Sequence, residues 1–333
     1  MAVLDDSKMG SGSAGLVIVR PVGRRVITHA IHDVDGTHSL IRDWPPVMSA
    51  VIHYAYTCGL EEDFDSEGQI RALVERVGKE PLPETDRFCV ETAGLSAITQ
   101  MEYAVRRAVQ LGNVPAERGL ALTDQARQTN AEIIRRIWAG EERFDDLEEP
   151  PEVKRFIEER TPRLFRLYEA VLGGASRDRN TREARRNPGP WRVAGSLEFI
   201  QYLRAIGCTN FFLTGAVVYP EGGMYEEVQA LGFQVGPGSL VEALEGSSWN
   251  RKMPKGEVMR DLLKRRAVDG REVLVIGDGR SEILAGVDLG AVTISRLPPA
   301  ADRQRQLHHS FGTNYIVPDF TDPLLTQLIR RGD

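Results

Sequence analysis

Residues Arg25 to Thr37 read RVITHAIHDVDGT. The first part, Arg25 to His32, is rich in β-branched residues and reads as a strand, preceded by a shorter candidate strand at Gly15 to Val19. The strand runs straight into Asp33-Val34-Asp35-Gly36-Thr37. Two carboxylates spaced two apart at a strand end can project to the same side of the chain, toward one ligand. They repel each other unless a cation sits between them. A divalent metal held by oxygen ligands answers that repulsion, and magnesium suits it because it commonly bridges carboxylates and phosphate oxygens.

Outward from this stretch the chain changes character twice. From about Trp44 to Ala170 it is a series of long amphipathic segments, WPPVMSAVIHYAYTCGL, EGQIRALVERVG, LSAITQMEYAVRRAVQLG, LTDQARQTNAEIIRRIWAG and PEVKRFIEERTPRLFRLYEAVLGG, with apolar residues three and four apart. That block is expected to be α-helical. Gly173 to Pro190, charged and containing Pro and Gly, reads as a loop or linker. Strand and helix patterns then alternate: SLEFIQYLRAIG, CTNFFLTG, MYEEVQALG, KGEVMRDLLKRRA, REVLVIGDG, SEILAGVDLG, AVTIS and a final helix TDPLLTQLIRR. Such alternation predicts an α/β fold with a doubly wound, mostly parallel sheet, whose ligand site lies outside the carboxyl ends of the strands.

Composition limits the partners. The chain has 333 residues, 41% of them hydrophobic, enough for a sizeable core. A net charge of −6 gives no chain-wide attraction to nucleic acid or anionic lipid, so neither nucleic acid nor membrane is an expected partner. The three cysteines, Cys58, Cys89 and Cys208, form neither a disulfide framework nor a zinc signature. A cytoplasmic location is the expectation, with no signal peptide or membrane-spanning run read in the chain. Residues 1–14, ending in Gly10-Ser11-Gly12-Ser13-Ala14, read as a flexible leader outside the fold.

Three further elements place chemistry at strand ends. Thr214, followed by Gly215, closes the apolar run Phe211-Phe212-Leu213 and offers a hydroxyl to a phosphate oxygen. Lys255, opening a helix, offers positive charge to an anion and to a nucleophilic carboxylate; Lys252 lies close by, but the helix start favours Lys255. Asp278 and Glu282, in IGDGRSE, form a second acidic pair after a buried strand. An Asp-x-Asp after a strand is by itself often only a turn or a helix cap. Four such elements in this order outweigh that reading. His29, His32, His38 and His53 lie near the site and are given no role, since a lone histidine is more often a core or surface residue.

In their order, Asp33-x-Asp35-Gly36-Thr37, Thr214, Lys255 and Gly277-Asp278-Gly279-x-x-Glu282 resemble the four motifs of the haloacid dehalogenase superfamily. The resemblance covers the two flanking regions, 15–40 and 191–333, as the α/β core. It implies that Asp33 attacks phosphorus to form an aspartyl-phosphate and that Asp35 protonates the leaving alcohol and then activates water. Thr214, Gly215 and Lys255 are implied to bind the phosphoryl group, and Asp33, the carbonyl of Asp35, Asp278 and Glu282 to hold Mg2+. Residues 41–190, inserted between the first and second motifs, fall where that superfamily carries a helical cap domain. An acid at Asp35 is similar to phosphatases and phosphomutases of the superfamily rather than dehalogenases. The expectation is therefore a magnesium-dependent phosphatase acting on a small phosphorylated metabolite, with a phosphomutase or a non-catalytic binding protein as alternatives.

Overall fold

The computed structural model describes residues 1–7, 15–41, 44–115, 120, 122–248 and 253–332. The chain divides into two compact units: one of residues 1–42, 181–246 and 253–333, the other of residues 43–180 with 247–252. Among the described residues no helix is long and apolar enough to cross a membrane.

The strands are β1 Ala2–Leu4, β2 Val17–Ile18, β3 Arg25–Ile27, β4 His29–Asp33, β5 Thr209–Val217, β6 Ala243–Ser247, β7 Val273–Gly277, β8 Val292–Arg296, β9 Tyr315–Val317 and β10 Ile329–Arg331. The helices are α1 Trp44–Cys58, α2 Glu67–Arg76, α3 Pro83–Glu91, α4 Ala97–Leu111, α5 Asp124–Trp138, α6 Pro151–Leu172, α7 Asp178–Arg186, α8 Ser196–Ala205, α9 Gly223–Ala230, α10 Lys255–Arg266, α11 Arg280–Asp288, α12 Asp302–Phe311 and α13 Pro323–Leu328. The first unit is built on a seven-stranded sheet ordered β2-β9-β8-β7-β4-β5-β6. The pairs β4·β5, β4·β7, β7·β8 and β8·β9 are parallel, and β2 is antiparallel at one edge. The α/β class and the mostly parallel sheet expected from the sequence are thus present.

Period-two alternation explains why helices cover both faces. Ile31, Phe211, Leu213, Val273 and Val275 pack with Val258, Met259, Leu262 and Leu263 of α10 and Ala285 of α11. Their neighbours Ala30, Leu274 and Ile276 pack with Phe199 and Leu203 of α8 and Leu325 and Leu328 of α13. Both faces being apolar, β7 reads VLVIG without a polar break, and all five residues are buried. Each such Val or Ile is worth about 1.5–3 kcal/mol when fully buried.

Several sequence expectations change at the edges of this unit. Residues 25–32 are two strands, not one: β3 joins the three-stranded sheet β10-β1-β3, while β4 enters the main sheet. The expected strand over 15–19 is reduced to Val17 and Ile18. The expected leader is corrected as well, since Ala2–Leu4 pairs antiparallel with both β10 and β3 and its three residues are buried; residues 8–14 lie outside the described residues. Asp6 anchors this corner, its buried carboxylate accepting from the backbone N–H groups of Val22 (2.8 Å) and Gly23 (2.9 Å) and from the Tyr315 hydroxyl (2.5 Å). The final helix stops at Leu328, and Ile329–Arg331 turn into β10 because β1 offers them an edge to pair with.

The second unit is helical, α1 to α6, with α6 packed on α1, α2 and α4. Residues 173–186, expected as a loop, are instead a π-helical turn at Gly173–Arg177 leading into α7. Asp178 in the first turn of α7 and Arg185 and Arg186 in its last complement the helix dipole, and Arg185 pairs with Glu226 at 2.7 Å. Pro and Gly in the sequence hid a helix that charges support.

Replacing Asp6 by alanine removes the only side chain that these three donors share in the described contacts. Leaving buried donors unsatisfied costs about 1–3 kcal/mol. Asp6→Ala is expected to lower the denaturant midpoint correspondingly with an unchanged denaturant slope; an unchanged midpoint would show the corner to be irrelevant to stability.

Candidate active site

Parallel register brings the acidic motifs together. Asp33, last residue of β4, lies opposite Leu213 of β5, and His32 lies opposite Ile276 of β7. Thr214 and Asp278 therefore follow at the same, carboxyl end of the sheet. Asp33 shares the parity of Ile31, so its side chain falls on the face covered by α10 and α11. These helices supply Lys255, first residue of α10, and Glu282, in the first turn of α11.

The contacts are short and buried. Lys255 Nζ donates to Asp33 Oδ1 at 2.5 Å and to Glu282 Oε2 at 2.9 Å, and all three side chains are nearly or fully shielded from solvent. Thr37 Oγ1 donates to Asp33 Oδ2 at 3.3 Å and lies 3.5 Å from Asp278 Oδ1. Glu282 also accepts from the Gly279 N–H, through Oε1, and from the Ser281 hydroxyl at 3.0 Å, so it caps its own helix while holding the lysine. Gly277 is needed here: a Cβ at that position would collide with the Glu282 side chain. Gly36, at φ 74°, gives the tight turn after the two aspartates.

Charge balance is uneven. Burial pushes the Asp33 carboxyl well above the usual carboxylate range; Lys255 pulls it down, and Glu282 and Asp278 push it up again. Burial acts on Glu282 in the same sense, but Lys255 and two backbone N–H groups outweigh it and hold that carboxyl below its ordinary value. Burial would lower the Lys255 ammonium, and the two carboxylates reverse this and raise it. Asp33, Asp278 and Glu282 can each offer one oxygen within 4.8 Å of the others. Three carboxylates gathered this closely suit an oxygen-ligated divalent cation, by the chemistry of the donors.

The remaining expected residues are placed differently. Asp35 follows β4 in the turn and bridges to Ser39. Thr214 lies inside β5, not at its end, and its buried hydroxyl accepts from the Ala216 N–H at 3.1 Å; Gly215 follows it in the strand. Lys252 lies outside the described residues. Two contributors escaped the sequence reading. Thr37, a motif residue with no role of its own in the sequence, touches two acids. Arg296, at the end of β8, is buried and donates to the Gly36 carbonyl at 2.9 Å and to the Pro318 carbonyl at 3.0 Å. Its signal was a lone arginine closing an apolar strand, which only tertiary placement could interpret.

The chain is similar to several solved structures. A HAD family hydrolase from Deinococcus radiodurans R1, with bound phosphate and sodium, is 14% identical, with 91% of this chain and 96% of that one covered and a TM-score of 0.40. A predicted phosphoglycolate phosphatase from Haemophilus somnus 129PT is 15% identical over 90% and 98% of the two chains, with a TM-score of 0.45. A beta-phosphoglucomutase from Clostridium difficile is 11% identical over 91% and 96%, with a TM-score of 0.42. No protein-family description matches the chain, and no curated protein does. At such identities the chemistry has to be read from this chain's own residues.

Beneath Asp33, on the opposite face, His32 and His38 are fully buried. Burial lowers the His32 imidazole to about 4, and burial, His32 and Arg296 hold His38 well below its ordinary value. The unfolded chain takes up these protons near pH 6.5. Stability from His32 is therefore complete above that pH and is lost as pH falls toward about 4. Linkage puts the loss at about 2 kcal/mol between pH 7 and pH 5. Denaturant titrations at the two pH values should show it in the wild type and show less of it in His32→Gln; equal losses would mean that His32 is protonated in the folded protein.

Proposed function

We propose that this protein is a magnesium-dependent phosphatase of the haloacid dehalogenase type, hydrolysing a small phosphate monoester through an aspartyl-phosphate on Asp33. The observation that carries the reading is the buried Asp33 carboxylate, held by Lys255 at 2.5 Å and by Thr37 at 3.3 Å beside Asp278 and Glu282. A carboxylate fixed at both oxygens is presented to an electrophile without freedom to turn away. In this reading Asp33, Asp278 and the Asp35 carbonyl would hold Mg2+, with Glu282 as a further oxygen donor, and the ion would supply charge neutralisation for the phosphoryl oxygens; Glu282 also orients Lys255.

The chemistry has two steps. An Asp33 oxygen attacks phosphorus as the bond to the ester oxygen breaks, and Asp35 gives its proton to that oxygen. Asp35 then takes a proton from water, whose oxygen attacks the phosphorus; the bond to Asp33 breaks and phosphate leaves. Lys255, Thr214 and Gly215 receive the phosphoryl oxygens. Thr37 keeps Asp33 aligned through both steps.

The helical unit joins the core only a few residues after the Asp33 turn and returns before β5. We assign it the role of a cap that reads the leaving group, which makes the substrate a small soluble molecule.

Phosphate release from a panel of small phosphate esters tests this. The wild type should release phosphate only with Mg2+, and Asp33→Asn should lose activity by about a thousandfold or more while keeping its fold. Asp33→Asn turning over at the wild-type rate would overturn the covalent mechanism. Asp35→Asn should be severely slowed and should accumulate a phosphoryl-enzyme, detectable as an added phosphoryl mass in the intact protein. A wild-type rate in that variant would remove Asp35 as the acid and base. Isomerised phosphate ester in place of free phosphate would make the protein a mutase.

A further inference from the structure

The two buried histidines flanking the acidic pair belong to one hydrogen-bonded circuit. Asn210 on β5 donates through Nδ2 to the carbonyls of Ile200 and Leu240, both at 3.2 Å. Its Oδ1 is therefore an acceptor, facing His32 Nε2 at 3.2 Å. That fixes His32 with its proton on Nε2 and its Nδ1 bare. His38 Nε2, 3.0 Å from that Nδ1, must donate to it, and His38 Nδ1 accepts from the Ser196 hydroxyl at 2.5 Å. Ser196 and Ile200 both lie on α8, so the circuit begins and ends on one helix. One amide orientation determines every proton in it.

The rings are also fixed by packing. His38 stacks on Phe320, with centroids 4.9 Å apart and planes within 7°, and meets Phe212 and Phe233 at 5.6 and 5.9 Å. Its backbone carbonyl accepts from Val193 at 3.1 Å, and its N–H donates to Val34 at 2.9 Å. Between the two rings in sequence lie Asp33, Asp35 and Thr37. The turn that carries them is thus tied down at each end by a side chain on the far side of the sheet.

We propose that His38, acting through His32 and Asn210, is a positioning residue for the Asp33–Thr37 turn. It touches neither substrate nor metal. Its work is to hold the turn where Thr37 reaches Asp33 and Asp278 together. The inference rests on the phosphatase reading for its kinetic consequence and on the hydrogen-bond directions for its structural one.

The test compares three variants of the full chain. His38→Leu keeps the bulk and removes both hydrogen bonds. His38→Gln restores one donor and one acceptor, and Ser196→Ala removes only the terminal donor should His38→Leu not fold. With the best ester of the panel, His38→Leu should lose about 100-fold in kcat with KM within about threefold of wild type, as a misplaced reacting group does. His38→Gln should stay within about threefold of wild type in kcat, and Ser196→Ala should fall between the two. Wild-type kcat in folded His38→Leu would overturn the proposal, as would equal losses in His38→Leu and His38→Gln, or losses that follow melting temperature across the variants. If the wild type hydrolyses no ester, the phosphatase reading fails separately, and the backbone amide resonances of Asp35 and Thr37 decide: displacement in His38→Leu with return in His38→Gln sustains the proposal, and no displacement overturns it.

Discussion

One ammonium group shared by two buried carboxylates organises this protein. Lys255 can lie out of water only because Asp33 and Glu282 flank it at 2.5 and 2.9 Å, and those carboxylates can be buried only because it is there. Desolvation makes each partner costly alone. The three residues come from β4, α10 and α11, so the pair fixes the approach of two helices to the central strand. Gly277 has to be a glycine because Glu282 needs the space beside it. Asp278 adds a third carboxylate oxygen within 4.8 Å of those of Asp33 and Glu282, and such a gathering of acids suits a divalent cation.

The parity of β4 sorts the chemistry by face. Asp33 falls with Ile31 toward α10 and α11, while His32 falls with Ala30 toward α8. One face of the strand thus meets charged partners and the other a neutral circuit whose direction Asn210 dictates. A one-residue slip of β4 would exchange the two sets, putting an imidazole against Lys255 and a carboxylate against Phe212 and the Asn210 amide oxygen. Neither is tolerable without charge partners, so register is specified by polar groups as much as by the apolar ones.

The sequence carried the core well where local pattern and tertiary role agree. VLVIG at 273–277, a β-branched apolar run bounded by turn residues, reads as a doubly covered strand, and Lys255 opening α10 and Asp278 following β7 needed only the alternation to be placed. It carried the margins poorly. Nothing local distinguishes Ala2–Leu4 from a leader, because its pairing partners are Arg25–Ile27 and Ile329–Arg331, far away in the chain. Thr28 looked like the interior of one strand, but the strand changes sheet there. At the site, the contacts of Thr37, Arg296 and His38 do not show in the sequence for the same reason: Asp278, Gly36 and Ser196, which they meet, are distant in the chain.

The excursion to the helical unit begins at the end of the Asp33 turn, which raises the question of how that turn stays still. The outgoing and returning chains are tied at their base: Leu40 donates to the Trp191 carbonyl at 2.8 Å, Val193 donates to the His38 carbonyl at 3.1 Å, and Ser39 bridges Arg192 antiparallel. Buried Glu227 accepts from the Ser39 hydroxyl at 2.6 Å, and Arg296 grips the Gly36 carbonyl from the other side. Between Asp33 and the first residue of the excursion, the backbone is therefore held at Gly36, His38, Ser39 and Leu40 in turn. Displacement of the chain beyond Leu40 has to break this clamp before it can move Asp33, so the position of Asp33 is set by contacts within its own unit.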